Sequence, residues 1–188
     1  MPAHRRPQKD HGQELSVHPT VDLDHYVPGY ITWVSNKLSR GASQAYLRVF
    51  GVGIEMWRLM VLLAIKGELA ANEASRIIGM DKGSVSRCFK SMQTKGFIEM
   101  RLDAKDGRLR VASFTDSGRA VHDQIIGLAL ERERAFLSAL TPDESRQFLN
   151  LLVRLHENLP SVDDATEAYI QKHFPGARPM GTSMDEEE

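Results

Sequence analysis

Apolar residues recur along most of the chain at the three- and four-residue steps that keep side chains on one face of an α-helix. The first run has six members, at steps of 3, 4, 4, 3 and 4, and they are Ile31, Val34, Leu38, Ala42, Ala45 and Val49. A break from Phe50 to Gly53 separates this run from a second helix that ends at Gly67. The second helix is apolar nearly all round, which predicts that it lies deep in the core.

Two further helices are predicted in the C-terminal half. Thr115 or Ser117 caps a long helix that continues to about Ala139. The sequence TPDE, residues 141–144, combines a capping box with a proline at the first helical position, and therefore predicts a helix start. This final helix ends at Pro160 and has one apolar stripe, formed by Phe148, Leu151, Leu152, Leu155 and Leu159.

The central region contains shorter elements. A helix from about Asn72 to Ile78 stops at Gly79, and another starts near Lys82, with Asp81 as its N-cap. Two short helices separated by a tight turn are typical of a helix-turn-helix.

The apolar period changes from 3.6 to 2 after Gly96. Phe97 to Leu102 and Arg108 to Phe114 are predicted strands, and the sequence DAKDG between them supplies turn residues. The predicted fold class is therefore mainly α with a small β-hairpin directly after the helix-turn-helix.

The composition is that of an ordinary globular protein, but the charge is unevenly distributed. Hydrophobic residues make up 41% and charged residues 26% of the chain, and the formal net charge is -1. From Arg76 to Arg110 nine Lys or Arg residues stand against four acids, so this segment carries +5 and the remainder -6. The region with the helix-turn-helix and the hairpin is thus the basic part of the chain.

The helix that starts near Lys82 has two different faces. Val85, Cys88, Phe89 and Met92 lie at i, i+3, i+4 and i+7, which predicts a buried face, while hydroxyls and cations lie largely opposite. A helix that enters the major groove of DNA needs this arrangement, and its N-terminal N–H groups also favour a phosphate. The hairpin adds further cations that can reach a neighbouring minor groove or the backbone. The candidate DNA-binding residues are Lys82, Gly83, Ser84, Ser86, Arg87, Lys90, Arg101, Lys105, Arg108 and Arg110.

A solvated basic face is the alternative interpretation, because most charge runs simply face water. The coincidence of the charges with a helix-turn-helix and a hairpin favours DNA binding.

These residues resemble the MarR family of winged-helix bacterial transcription regulators. The resemblance covers about Asp22 to Pro160 and is strongest in MDKGSVSRCFKSMQTKGFI, residues 80–98, and DAKDGRLRVASFTDSG, residues 103–118. In the wing, Asp106 and Arg108 match the acid and the arginine of the family pattern, whereas Gly107 replaces its basic residue. Phe114-Thr115 and Gly118 complete the pattern, so the resemblance implies a wing that is one charge short.

The resemblance implies a homodimer that binds double-stranded operator DNA of pseudo-palindromic sequence. It implies a helical dimerisation region at residues 22–52 and 117–174 and a winged helix-turn-helix lobe at residues 53–116. A mobile N-terminal segment, residues 1–21, and an acidic mobile tail, residues 175–188, are expected outside them. By family analogy the chain is a repressor that a small aromatic ligand releases from DNA.

Aromatic residues and one cation are concentrated where the first two helices should meet. An aromatic acid, or its thioester, would pair its carboxylate with Arg58 and place its ring against tryptophan or tyrosine. The candidate ligand-binding residues are His25, Tyr30, Trp33, Trp57 and Arg58. The alternatives are that the aromatics belong to the core or the dimer interface, and that Arg58 pairs with Glu55.

The sequence gives only weak signals for a redox-active cysteine or a metal site. Cys88 is the single cysteine, so the chain has no second thiol for a redox pair, and its position favours packing over redox sensing. His11, His18 and His25 recur every seven residues, but Gly12 and Pro19 interrupt a helix there, so we expect no metal.

Enzyme function is not expected either. The sequence GVGIEM at residues 51–56 lacks the third glycine and the preceding strand of a dinucleotide loop, and no catalytic motif is evident, so we expect no cofactor. The N-terminus has no signal-peptide core and the chain no long apolar stretch, which predicts a cytoplasmic protein with no membrane contact.

The sequence therefore favours a dimeric, ligand-responsive repressor. The alternative is a winged-helix module for protein contacts or architectural DNA binding, without a ligand.

Overall fold

The computed structural model describes residues 20–103 and 107–178. The predicted mobile segments lie largely outside these residues. Along the chain, the elements are α1 (Val27–Phe50), α2 (Ile54–Lys66), β1 (Glu68–Ala70), α3 (Ala71–Ile78), α4 (Lys82–Thr94), β2 (Ile98–Leu102), β3 (Arg110–Phe114), α5 (Asp116–Leu137), α6 (Pro142–Glu157) and α7 (Leu159–His173). The predicted fold class, mainly α with a small β component in a winged helix-turn-helix, is confirmed.

The chain divides into two compact units between Ile125 and Ile126, within α5. The first unit contains α1 to α4, the sheet and the start of α5. The second unit contains the rest of α5 with α6 and α7. The helix-turn-helix and the hairpin therefore belong to one compact unit.

The hairpin is part of a three-stranded antiparallel sheet in the order β1-β3-β2. Met100 pairs with Ala112 across the hairpin, and Leu69 of β1 pairs with the other edge of β3, also at Ala112. The sequence did not predict β1, because three residues are too few to show a period of two.

The core of the first unit is built by α2, α4 and the sheet. Leu59, Met60 and Leu63 of α2 are fully buried, as are Val85 and Met92 of α4. Deep burial of α2 is confirmed for these residues, but Ile65 at its C-terminal end is exposed.

The predicted run of apolar residues in α1 lies in two different environments. Ala42 is buried and Leu38 and Ala45 are half-buried, whereas Ile31 and Val34 are exposed. The N-terminal half of α1 thus leaves its apolar residues uncovered by the described part of its own chain.

In the second unit, the capping box of α6 is present. The Thr141 hydroxyl accepts from the Glu144 N–H, and the Glu144 carboxylate accepts from the Thr141 N–H at 2.8 Å. The prediction that the last helix ends at Pro160 is wrong, because α6 ends at Glu157 and α7 begins at Leu159. Proline fits the first turn of α7, where N–H groups have no intrahelical acceptor.

Candidate nucleic-acid interface

Helix α4 is fixed at its N-terminus by Asp81. The Asp81 carboxylate accepts a hydrogen bond from the Ser84 N–H at 2.8 Å, which satisfies one of the free donors of the first turn. Hydrogen bonds from Ser84 also lower the pKa of Asp81. The predicted N-cap and the predicted start at Lys82 are both confirmed.

The turn before α4 is held by backbone geometry and a serine. Gly79 ends α3 with φ of 73°, a left-handed conformation that favours glycine. The Ser75 hydroxyl donates to the Met80 carbonyl at 2.6 Å and so fastens the turn to α3. These contacts set the direction in which α4 leaves the turn.

One side of α4 is buried and the opposite side is open. Val85, Phe89 and Met92 are buried, while Cys88 is only half-buried. Lys82, Gly83, Ser86, Arg87 and Lys90 are exposed, and Ser84 is half-buried. The apolar side of the helix therefore anchors it to the first unit and leaves cations and a hydroxyl accessible.

Arg87 is oriented by a neighbour one turn earlier. Its guanidinium donates to the Ser84 hydroxyl at 2.7 Å. A Cβ at Gly83 would lie 3.2 Å from both the Arg87 guanidinium and the Asp81 carboxylate. Glycine at this position thus leaves room for the cap and for Arg87.

The hairpin carries the other candidate cations. Arg101 forms an ion pair with Glu68 of β1, and Arg108 and Arg110 are exposed. The Asp103 N–H donates to the Leu109 carbonyl at 2.8 Å, which closes the hairpin beside its turn. Lys105 lies outside the described residues, as does Asp106.

Thr115 and Gly118 connect the hairpin to α5. The Thr115 hydroxyl donates to the Gly96 carbonyl at 2.6 Å and accepts from the Gly118 N–H at 3.0 Å. Thr115 therefore caps α5. A Cβ at Gly118 would lie 1.8 Å from the Phe97 carbonyl oxygen, so only glycine allows this approach.

Known proteins share this arrangement. A sequence model of the MarR family matches residues 50–109, from the end of α1 through the hairpin turn. The uncharacterised HTH-type transcriptional regulator YdgJ of Bacillus subtilis is 24% identical over 116 residues, which are 60% of this chain and 69% of YdgJ.

Solved structures agree with the sequence comparison. A MarR/EmrR family transcriptional regulator from Acinetobacter sp. ADP1 superposes with a TM-score of 0.70 and 28% identity, over 75% of this chain and 99% of that one. The family that these comparisons indicate is the MarR family. The S. aureus MepR–DNA complex has the same fold, with a TM-score of 0.64 and 20% identity over 73% of this chain and 99% of that one.

The comparisons thus support a transcriptional regulator of the MarR type with a DNA-binding winged-helix fold. In the described part of the chain, none of the helices combines the length and apolar character that crossing a bilayer requires.

The ligand-binding residues predicted from the sequence fall into separate contacts. Tyr30 and Trp33 are exposed and contact each other edge to face, with centroids 5.4 Å apart. His25 is exposed and pairs with Asp22 at 2.7 Å. Among the described residues, no hydrogen bond, ion pair or ring contact links these three to Trp57 or Arg58.

Trp57 and Arg58 have partners of their own. Trp57 is buried, and its ring contacts Tyr46 at 5.7 Å and His122 at 5.4 Å. Arg58 donates to the Ser39 hydroxyl at 2.9 Å rather than pairing with Glu55. The pocket formed by these five residues stays a prediction.

His122 was missed in the sequence, where a lone histidine in an amphipathic helix gives little signal. It is buried on α5, stacks on Trp57 and lies near Phe114 at the end of β3, with centroids 5.8 Å apart. Its Nδ1 and the Asp123 carboxylate are 2.8 Å apart. This histidine joins α2, β3 and α5.

Cys88 has the environment of a packing residue. Burial, and to a smaller extent the charge of Glu55, raise the pKa of its thiol to about 11. Because the thiolate is the reactive form, this environment disfavours the redox role that Arg87 and Lys90 alone would suggest.

Proposed function

We propose that this MarR-family regulator is a homodimeric repressor that binds a pseudo-palindromic operator and leaves it when a small aromatic acid, or its thioester, binds. The observation that carries the proposal is the division of α4 into a buried apolar side and an exposed side with Lys82, Ser86, Arg87 and Lys90. A helix held in this way can place cations and hydroxyls against base edges and phosphates.

The DNA-binding roles follow from position. Residues on the open side of α4 read bases, since a recognition helix enters the major groove. Arg108 and Arg110 of the hairpin are exposed and contact the DNA backbone or a neighbouring minor groove. A DNA-binding role is consistent with the fold, because one structural relative is the S. aureus MepR–DNA complex.

Exposed apolar side chains on both units support the homodimer. In the first unit, Tyr30, Ile31, Trp33 and Val34 leave one end of α1 apolar and open. In the second unit, α6 and α7 expose a larger set, Phe148, Leu149, Leu151, Val153, Leu155, Leu159, Val162 and Tyr169. Surfaces of this kind mark protein interfaces, and we assign them to a second copy of the chain.

We place the dimerisation region at residues 22–52 and 117–174 and the DNA-binding lobe at residues 53–116. In a dimer of this plan, two copies of α4 meet two half-sites one helical turn apart, and a ligand that changes this spacing weakens binding. A coupling of about 1 to 3 kcal/mol is enough for regulation. The protein acts in the cytoplasm and catalyses no reaction.

The experiment that tests this proposal is selection of DNA sites from a random pool by the full chain. We expect a two-fold symmetric motif whose half-sites are one helical turn apart. A motif without symmetry, or no motif, favours the alternative, a winged-helix module for protein contacts or architectural binding without a ligand.

A further inference from the structure

Helix α4 contains one arginine, Arg87, and two lysines, Lys82 and Lys90. We propose that Arg87 recognises a guanine in each half-site of the operator, and that Ser84 is the positioning residue that orients its guanidinium for this contact. The inference rests on the proposed function and narrows it, since it names one base of the half-site and the residues that select it.

Arg87 has the chemistry that guanine requires. In the major groove a guanine presents two neighbouring acceptors, O6 and N7, and a planar guanidinium can donate to both at once. The ammonium groups of Lys82 and Lys90 rotate and lack this planar fork, so they select guanine less sharply. Arg87 is therefore the cation of α4 best suited to recognise guanine.

Arg87 also lies on the side of α4 that faces away from the core. It is two residues from both Val85 and Phe89, which are buried, and two residues turn an α-helix by about 200°. It is exposed and forms no ion pair with a described residue, whereas Arg101 of the hairpin pairs with Glu68. The charge of Arg87 is thus accessible to DNA.

Ser84 restrains the guanidinium. Nη2 of Arg87 donates to the Ser84 hydroxyl at 2.7 Å. The hydroxyl in turn donates to the Asp81 carboxylate, and this bond together with one from the Ser84 N–H lowers the pKa of Asp81. Because a hydroxyl has one proton to donate and a guanidinium only donates, the direction of both bonds is fixed. Asp81, Ser84 and Arg87 form a chain of hydrogen bonds with a charge at each end.

This chain of hydrogen bonds leaves Arg87 able to bind a base. A guanidinium has five N–H donors arranged as two forks, one formed by Nη1 and Nη2 and the other by Nε and Nη2. The two forks use different protons of Nη2, so one fork remains available whichever proton Ser84 accepts. That fork can donate to O6 and N7 of a guanine while the Ser84 contact persists.

Positioning affects affinity because an arginine side chain is flexible. Ordering such a side chain at the moment of binding weakens binding by roughly two- to tenfold. Ser84 orders Arg87 before DNA binds, so this loss is avoided. Removal of the Ser84 hydroxyl should therefore weaken binding to a half-site that has the guanine more than binding to one that lacks it.

Selection of DNA sites from a random pool, by the full chain and by Arg87→Ala, tests the base assignment. We expect the parent motif to contain a guanine at one position of each half-site, and Arg87→Ala to lose its preference at that position alone. If Arg87→Ala keeps every base preference, or loses one for a base other than guanine, the inference fails and the proposed function stands. If the parent chain selects no motif, the proposed function itself fails.

A duplex with 7-deazaguanine at this position of one half-site makes the test sharper, because this base keeps O6 and its base pairing but lacks the N7 acceptor. We expect the parent chain to bind this duplex about tenfold more weakly than the unmodified operator, since a hydrogen bond to a charged group is lost. Arg87→Ala should bind both duplexes equally. An equal loss in both proteins, or no loss in the parent chain, would overturn the assignment of Arg87 to guanine.

Substitutions at Ser84 test the positioning role. Ser84→Ala removes the hydroxyl and Ser84→Thr keeps it, while Ser91→Ala is the matched control, because Ser91 lies two turns further along the same side of α4. The measured quantity is the ratio of affinities for the operator and for a duplex with adenine in place of the guanine. We expect this ratio to fall about two- to tenfold in Ser84→Ala and to stay unchanged in Ser84→Thr and Ser91→Ala.

A defect in folding alone would weaken binding of Ser84→Ala to both duplexes and leave the ratio unchanged. An unchanged ratio in Ser84→Ala, or an equal fall in Ser84→Ala and Ser91→Ala, would contradict the role of Ser84. A fall in Ser84→Thr as large as that in Ser84→Ala would contradict it as well, because the hydroxyl would then not be the group that matters.

Discussion

At the scale of single residues, Arg87 and Arg108 allow two kinds of DNA contact to be tested separately, namely contacts to bases and contacts to the DNA backbone. Arg87 lies on the open side of α4, and Arg108 lies exposed in the hairpin. Arginine on a recognition helix reads base edges, whereas arginine in a wing contacts phosphate or a groove wall.

Arg87→Ala should therefore reduce the preference for operator over random DNA by about 1 to 3 kcal/mol. Arg108→Ala should instead weaken binding to both DNAs and lower the slope of affinity against salt concentration by about one unit. Fluorescence anisotropy over a series of salt concentrations measures both quantities. Arg146→Ala on α6 is the control for loss of one exposed arginine. If Arg87→Ala and Arg108→Ala change the operator preference and the salt slope in the same way, the two roles are wrongly assigned.

Gly118 gives a second residue-scale prediction, this time about stability. A methyl group at Gly118 would meet the Phe97 carbonyl at 1.8 Å, while one at Gly127 of the same helix would meet nothing within 4 Å. Gly118→Ala should lower the free energy of unfolding by about 3 kcal/mol or more, through overpacking. Gly127→Ala should raise it by about 0.5 to 1 kcal/mol, because alanine is the better helix former. Thermal unfolding compares the two variants. If both change stability equally, the backbone at Gly118 can move away from the Phe97 carbonyl without cost.

At the scale of elements, the carboxylate that caps α4 makes the stability of the fold depend on pH. The pKa of Asp81 is lowered from its ordinary value of 3.8 by hydrogen bonds with Ser84. A lowered folded-state pKa means that the carboxylate contributes stability above the unfolded-state pKa and loses it as pH falls through the folded-state value.

Asp81→Ala should consequently be less stable than the parent chain at neutral pH, and the difference should shrink as pH falls below 3.8. Asp81→Asn keeps a capping oxygen that does not titrate, so its stability should vary less with pH. Chemical unfolding at several pH values gives the comparison. A difference that is independent of pH would contradict this role for the carboxylate.

Local periodicity predicted most of these elements. The three- and four-residue steps, the Asp81 cap, the TPDE capping box and the period of two in the hairpin are short-range signals, and the structure contains each of them. Strand β1 and helix α7 were missed. β1 is too short to show a pattern, and α7 has Pro160 in its first turn, where a proline is easily taken for the end of the preceding helix.

The candidate site was predictable to a different degree. The open side of α4 follows from the spacing of Val85, Phe89 and Met92. His122 could not be identified in this way, because its position depends on contacts with Trp57 and Phe114, which are distant in sequence.

At the scale of the whole molecule, the exposed apolar residues of α6 predict that the chain pairs. Leu151→Glu combined with Leu155→Glu places two charges on the apolar stripe of this helix, which is otherwise exposed. We expect this variant to sediment as a monomer and to bind the full operator at least about 100-fold more weakly, because two half-sites are no longer bound by one linked particle. Asn150→Glu is the control, with one new charge off the stripe. A double variant that remains dimeric would contradict the assignment of α6 to the interface.

The central claim is that this chain recognises a specific DNA sequence through the exposed side of α4. The most direct measurement is the affinity of the full chain for the selected operator and for a scrambled duplex of equal length and composition, at about 0.15 M salt. The account predicts nanomolar binding to the operator, roughly a thousandfold or more tighter than to the scrambled duplex. Equal affinity for the two duplexes would contradict it.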